Sequence, residues 1–76
     1  MTKYISFHNL LRQKGKEYAK AAYLAYMTDN AVVAKDGNFV RAHVRWRKGL
    51  PVVTLKEDGD DTVWQVVGGF FDPDTI

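Results

Sequence analysis

The sequence predicts an α+β fold in which one N-terminal helix packs on a three- to four-stranded antiparallel β-meander. Two stretches with periodic side chains carry this prediction. Residues 10–28 repeat apolar side chains every three to four positions, which is the spacing of an amphipathic helix. Residues 39–47 place apolar side chains at the even positions and all three arginines at odd ones, which is typical of a strand with one buried face. A length of 76 residues fits a single domain over residues 1–76.

The helix follows residues 1–7, whose pattern fits either a short strand or a lead-in to the helix. Ser6 and Asn9 are both acceptable N-caps, because their side-chain oxygens can accept hydrogen bonds from free backbone N–H groups of the first turn. Gly15 costs about 1 kcal/mol relative to alanine in a helix interior. A continuous helix would also be longer than the strands that it covers. We therefore expect either a break near Gly15 or an overhanging helix end.

Asp29 and Asn30 end the helix, and clusters of turn residues then separate four candidate strands. Because Pro51 lacks a backbone N–H, the third strand is expected to begin just after it. We leave open whether the fourth strand continues past Gly68 and Gly69, and we expect an irregular tail over residues 72–74. The connections are short, which favours pairing of consecutive strands. The predicted strands cover residues 31–35, 39–47, 52–57 and 62–67.

Charge is distributed unevenly along the chain, although the net charge is only +2. Residues 1–49 contain ten Lys and Arg against three Asp and Glu, whereas residues 50–76 contain one against six. This asymmetry can indicate an anionic partner for the basic part. It can equally indicate that the two parts neutralise each other in the fold.

The meander also predicts which charges meet. Turns at residues 36–38 and 58–61 fall at one end of the sheet, so the acidic second turn should lie near Lys35 and Arg41. The opposite end should hold the turn at residues 48–51 and the C-terminus of the helix. It should therefore also hold three further cations, Arg45, Arg47 and Lys48, and the acidic tail with Asp72 and Asp74 can arrive there too.

Two rows of basic side chains, one along the second predicted strand and one along the helix, form the candidate site for an anionic partner, for which nucleic acid is the first hypothesis. Neighbouring side chains on one face of a strand lie about 6.5–7 Å apart, close to the phosphate repeat of an extended single strand of nucleic acid. Phe39 and His43 stand in the same row and could stack on bases. The alternative interpretation is a solvated face that the acidic C-terminal third neutralises. The candidate anion-binding residues are Arg41, His43, Arg45, Arg47 and Lys48 on the strand and its turn, with Arg12, Lys16 and Lys20 on the helix.

Aromatic residues support a second hypothesis of a different class. They make up 13% of the chain, and Tyr23 and Tyr26 cannot both face the core beneath the helix. With Phe39 they are candidate interface residues, because aromatic side chains are enriched at contact surfaces. The chain would then be a small protein-binding inhibitor or adaptor, such as a phage or mobile-element protein that blocks a host defence protein. The partner would be an acidic protein surface rather than nucleic acid, and a homodimer is a further hypothesis.

Other classes of function find little support in the sequence. The chain has no cysteine, which excludes disulfides and cysteine-bound zinc and fits a reducing compartment. His8 and His43 have no ligand-like spacing, and Ser6 lacks the flanking glycines of a nucleophile elbow. No apolar run approaches the length of a membrane span, and the first residues do not resemble a signal peptide. We therefore expect a cytoplasmic protein that is not an enzyme and uses no cofactor, metal or membrane.

Overall fold

The computed structural model describes residues 1–75 and confirms the α+β fold. Five strands form one sheet in the order β1-β5-β4-β3-β2. The two helices pack on the same face of this sheet and enclose the core. The elements are β1 (Thr2–Ser6), α1 (Phe7–Lys14), α2 (Lys16–Thr28), β2 (Asn30–Lys35), β3 (Asn38–Arg47), β4 (Leu50–Glu57), β5 (Val63–Val67) and a short 3₁₀ turn (Pro73–Thr75).

The predicted helix is broken at Gly15, which separates α1 from α2. Gly15 has a φ of 95°, a conformation that residues with a Cβ rarely adopt. Its N–H donates to the carbonyl of Leu11 at 3.2 Å and so closes α1. At the other end, Ser6 Oγ accepts from the N–H of Asn9 at 3.2 Å. Ser6 is therefore the N-cap, and the helix begins at Phe7, three residues earlier than the predicted Leu10.

The sheet is mixed, whereas the sequence predicted a purely antiparallel meander. Strands β2 to β5 do form that meander. However, β1 pairs parallel with β5 at the far edge, with Thr2 opposite Val63 and Ser6 opposite Val67. Residues 2–6 therefore form a strand that runs directly into α1 at Phe7. Local pattern did not decide between the two because the partner strand lies about 60 residues away in the sequence.

Strand β4 begins at Leu50 and includes Pro51, although the sequence predicted a start just after this proline. Lys48 and Gly49 form a two-residue turn with φ values of 51° and 80°, so pairing with β3 starts at once. The missing N–H of Pro51 is tolerated because pairing between β4 and β5 ends at Val52 and Val67, one residue short of it.

The C-terminal tail leaves the sheet, so the extension of the fourth strand is not formed. Gly68 and Gly69 have φ values of 69° and 63° and turn the chain away from the strand direction. Phe70 and Phe71 then meet the ring of Phe7 edge-on, with centroid distances of 5.4 and 4.9 Å. The predicted irregular segment ends in the 3₁₀ turn, whose Pro73 is buried. The tail therefore packs on the helical layer.

The alternation of β3 places its side chains as the pattern predicts, with one exception. Val40, Ala42 and Val44 are buried under the helices, while the odd positions are exposed. Trp46 belongs to the buried face by its position but is 58% exposed, because it lies near the strand end beside Tyr26. The indole therefore covers the rim of the core.

Candidate functional site

The open face of the sheet, the face opposite the helices, is the candidate site. Its side chains follow from the register, which sets odd residues of β3 beside even residues of β2 and β4. Across the central strands, Arg45 stands opposite Val52 and Arg47 opposite Leu50. The members of the open face on β2, β3 and β4 are Asn30, Val32, Ala34, Phe39, Arg41, His43, Arg45, Arg47, Leu50, Val52, Thr54 and Lys56.

At one end of the β3 row, Arg41 is bound to an acidic turn. Its Nε lies 3.0 Å from Asp58 Oδ1 and its Nη2 3.2 Å from Asp58 Oδ2, a bidentate pair. The Asp58 N–H also donates to the carbonyl of Phe39 at 2.8 Å, which extends the β3–β4 pairing by one residue. The hydrogen bonds between the two side chains raise the pKa of Arg41 and lower the pKa of Asp58. The predicted meeting of Arg41 with the acidic turn therefore occurs.

A buried tyrosine holds the same turn from the helical side. Tyr18 is buried, and its hydroxyl donates to Glu57 Oε1 at 2.5 Å. Asn38 Nδ2 donates to the other carboxylate oxygen at 3.4 Å. Burial, and then the hydrogen bond to Glu57, raise the pKa of Tyr18, and this bond lowers the pKa of Glu57. The acidic turn is thus fixed to both faces of the sheet.

At the other end of the row, Arg45, Arg47 and Lys48 are exposed. Within residues 1–75, no carboxylate lies within ion-pair distance of any of the three. The C-terminus of α2 arrives here as predicted, since the carbonyl of Asp29 accepts from the N–H of Val44 at 3.0 Å. The three cations therefore form an uncompensated group, which we call the free basic end.

The acidic tail does not reach the free basic end, contrary to the prediction. Lys20 Nζ instead lies 3.2 Å from Asp72 Oδ1 and 2.6 Å from Asp74 Oδ2, and Lys16 Nζ lies 3.2 Å from Asp74 Oδ1. These contacts raise the pKa of Lys20 and lower the pKa of Asp74. The tail goes there because its aromatic residues pack on the helices. Lys16 and Lys20, with the exposed Arg12, belong to the helical layer and do not join the β3 row.

His43 and Lys56 border a shallow hollow of about 350 Å³ in the middle of the open face. His43 Nδ1 lies 2.8 Å from Asn30 Oδ1, a contact across neighbouring strands. Lys56 stands opposite Arg41 in the register and is exposed. Lys56 is a further member of the basic face that was not predicted from the sequence. The alternation of Val52, Thr54 and Lys56 in the third predicted strand was the signal that could have identified it.

An apolar groove adjoins the free basic end and was also missed. It has a volume of about 520 Å³, and Leu50, Pro51, Val52 and Val67 form most of its lining. Leu50 is 68% exposed, a large value for leucine. Arg47 and Lys48 line the same groove. Apolar and cationic side chains thus meet in one concave surface.

The three candidate interface aromatics do not form one surface. Tyr26 stacks on Phe70 with a centroid distance of 4.9 Å in the helical layer, and Tyr23 is half-buried on the same helix. Phe39 lies on the open face and is 49% exposed. Tyr4 of β1 is 76% exposed on that same face, opposite Gln65, and was not among the candidates predicted from the sequence.

Residues 1–75 contain no group of three His, Cys, Asp or Glu side chains arranged to hold a metal ion. Neither α1 nor α2 has the length and apolar composition that a helix needs to cross a membrane.

No protein-family model matches the sequence, and the searches of curated proteins and of solved structures returned no match.

Proposed function

We propose that this domain is a non-enzymatic binding module that holds nucleic acid, preferably single-stranded, on the open face of its sheet. The observation that carries the proposal is the free basic end, where Arg45, Arg47 and Lys48 have no ion-pair partner among residues 1–75. Each contact between such a cation and a phosphate releases condensed counterions and so favours binding.

The shape of the face favours a single strand over a duplex. The major groove of B-form DNA admits an α-helix or a two-stranded ribbon, and a five-stranded sheet is too wide to enter it. Single strands instead lie across open sheets, with their bases stacked on exposed rings and their phosphates near cations. Phe39 and Tyr4 are the exposed rings of this face, and His43 stands between Arg41 and Arg45.

The ion pairs in the structure reduce the number of cations that are available to contact phosphate groups. Arg41 is already bound to Asp58, and Lys16 and Lys20 to the acidic tail. We therefore assign the main phosphate contacts to Arg45, Arg47 and Lys48, with Lys56 as an added contact on the same face.

The test is fluorescence anisotropy with labelled single-stranded and duplex oligonucleotides at two salt concentrations. We expect the single strand to bind more tightly, and its affinity to fall with a log–log salt slope of about −0.7 for each phosphate contacted. The Arg45→Glu/Arg47→Glu variant should lose binding while its circular dichroism stays native. Unchanged affinity in this variant, or affinity that does not depend on salt, would contradict the proposal.

A charge-matched control separates the open face from total charge. Arg12→Glu/Lys16→Glu reverses two cations of the helical layer, so both double variants change the net charge from +2 to −2. We expect this control to keep most of the affinity, because its substitutions lie on the other side of the sheet. Equal losses in both variants would show that net charge alone governs binding.

The apolar groove favours a second candidate function, that of a protein-binding inhibitor or adaptor. Exposed Leu50 lies beside Arg47 in this groove, and arginine is enriched at the centres of protein interfaces. The test is affinity capture from cell lysate with the wild-type domain, Leu50→Asp, and Met27→Asp as a matched control on the exposed helical surface. A protein retained by the wild type and the control but lost with Leu50→Asp, without oligonucleotide binding, would favour this candidate.

A further inference from the structure

Strand β2 forms one edge of the sheet, and the ladder fixes which of its backbone groups face outward. The Val44 N–H donates to the Asp29 carbonyl, one position beyond the last register pair of β2 with β3, which is Asn30 opposite His43. Hydrogen-bonded pairs alternate along an antiparallel ladder, so the odd residues of β2 bond to β3. The backbone N–H and C=O groups of Asn30, Val32 and Ala34 therefore point to the free edge, where the Asn30 carbonyl already accepts from Thr28 Oγ1 at 3.0 Å. Within residues 1–75, no other strand pairs with this edge.

The β2 edge lacks the features that prevent an exposed sheet edge from pairing with another strand. Proteins protect exposed edges with proline, bulges or charged side chains. The register of β2 is continuous, and its sequence NAVVAK contains no proline. Its single charge, Lys35, turns toward the helical layer, with Nζ 5.7 Å from the centre of the Tyr18 ring. Val32, in the middle of the strand, is 54% exposed.

The opposite edge, β1, is better protected. The Val63 N–H donates to the Met1 carbonyl, so the backbone groups of the odd residues of β1 bond to β5. The backbone N–H and C=O groups of Thr2, Tyr4 and Ser6 therefore point to the outer edge. Lys3, in the middle of this short strand, is exposed and carries a charge. Ser6 Oγ is also engaged in capping α1. The two edges therefore differ in how readily they can accept another strand.

We propose that a second copy of this chain occupies the β2 edge, through antiparallel pairing of β2 with β2 about a two-fold axis at Val32. This register sets Val32 opposite its own copy and Asn30 opposite Ala34 on the open face, with Ala31 opposite Val33 on the helical face. All of these side chains are small or polar and none is charged, so the strand is complementary to itself. The result is one continuous ten-stranded sheet whose two open faces point the same way.

The helical layer permits this arrangement. Helix α2 packs against β2, β3 and, less extensively, β4, so its axis lies inward from the edge. With a strand spacing of about 4.8 Å across the two-fold axis, the axes of the two copies of α2 stay at least about 10 Å apart. Packed helices ordinarily lie about 8–10 Å apart, so the two helical layers do not collide.

The test is sedimentation velocity of the full chain at concentrations from about 10 µM to about 500 µM. Val32→Pro removes an N–H that points to the free edge and leaves the bonds between β2 and β3 intact. Tyr4→Pro is the matched control, because it removes an outward N–H from the β1 edge. We expect the wild type and Tyr4→Pro to dimerise, and Val32→Pro to dimerise at least about tenfold more weakly.

Val32→Lys provides a second variant in case the proline variant fails to fold, since it places two like charges opposite each other across the axis. Circular dichroism checks the fold of each variant. A wild type that remains monomeric at every concentration would overturn the proposal. A dimer that persists in folded Val32→Lys, or that is lost in folded Tyr4→Pro, would overturn it as well.

Discussion

The two ends of β3 carry the same kind of side chain on the same face but differ in their surroundings. Arg41 forms two hydrogen bonds with Asp58. The preceding residue, Glu57, accepts a hydrogen bond from the buried Tyr18, which holds this acidic turn in place. Arg45 and Arg47, four and six positions further along, have no carboxylate within ion-pair distance in the part of the chain that the structure describes. One end of the strand is neutralised and the other is free.

The difference comes from the turns and not from the strand. Strand alternation decides only that these arginines share a face. The turn from β4 to β5 contains Asp58, Asp60 and Asp61, whereas the turn from β3 to β4 contains Lys48 and Gly49. Because each hairpin turn lies at one end of the strands that it joins, the turn chemistry determines which arginine has a carboxylate partner within residues 1–75.

The largest expected effect is a difference in affinity between two sets of arginine substitutions. Arg45→Gln/Arg47→Gln removes two uncompensated cations and should weaken oligonucleotide binding by about tenfold or more at low salt. Arg41→Gln removes a cation that is already paired, so it should weaken binding by less than about threefold. Fluorescence anisotropy measures both. A loss with Arg41→Gln as large as the loss with the pair would break the distinction between the two ends.

Removing the carboxylate partner of Arg41 should make this end of β3 bind oligonucleotides more like the free basic end. Asp58→Asn removes the carboxylate that binds Arg41 and keeps a side chain of similar size. We expect the affinity for a single strand to rise by about threefold and the salt slope to steepen by about 0.7, the value of one added phosphate contact. The control is Asp72→Asn in the tail, which should leave both quantities unchanged. A slope identical to that of the wild type would mean that Arg41 does not reach the bound strand.

Much of the difference between the two ends of β3 could be predicted from the sequence, because it depends on local features. The alternation of residues 39–47 gave the exposed side of β3, and short connections gave a meander. Together they predicted that the acidic turn would meet Arg41, as it does. Each step needed only the side-chain period of a strand and the position of a turn.

The features that sequence reasoning missed depend on contacts between distant segments. Pairing of β1 with β5 joins residues about 60 positions apart, and no period within residues 1–7 indicates it. The predicted position of Asp72 and Asp74 was wrong, because the path of the tail depends on where Phe70 and Phe71 pack. The apolar groove combines residues of β4 and β5, which become neighbours only in the folded sheet.

Lowering the pH should weaken the paired end, where Arg41 meets the acidic turn, by protonating the carboxylates of that turn. Hydrogen bonds from Tyr18, Arg41 and the backbone of Thr62 lower the pKa values of Glu57, Asp58 and Asp60 from ordinary values of 4.5, 3.8 and 3.8. Carboxylates with lowered pKa values stabilise the fold above their ordinary values, and this contribution is lost as the pH falls through the lowered ones.

We therefore expect the melting temperature to drop by several degrees as the pH falls below about 4. Thermal unfolding followed by circular dichroism measures this drop. In Glu57→Gln the drop should be smaller, because one of the titrating groups is missing. A melting temperature that stays constant down to pH 3, or an undiminished drop in the variant, would contradict the anchoring of this turn.

The smallest expected effect is spectroscopic and concerns the tyrosine that anchors the paired end. Burial and the hydrogen bond to Glu57 raise the pKa of Tyr18 above its ordinary value of 10.0, so its phenol should ionise only at a higher pH. A raised pKa means that the stabilisation is complete below pH 10 and is lost as the pH rises through the raised value. Tyrosinate absorbance should therefore rise in two phases, with the second coinciding with loss of the fold. In Tyr18→Phe only the first phase should remain, and a single phase in the wild type would place this hydroxyl in water and leave Glu57 without its anchor.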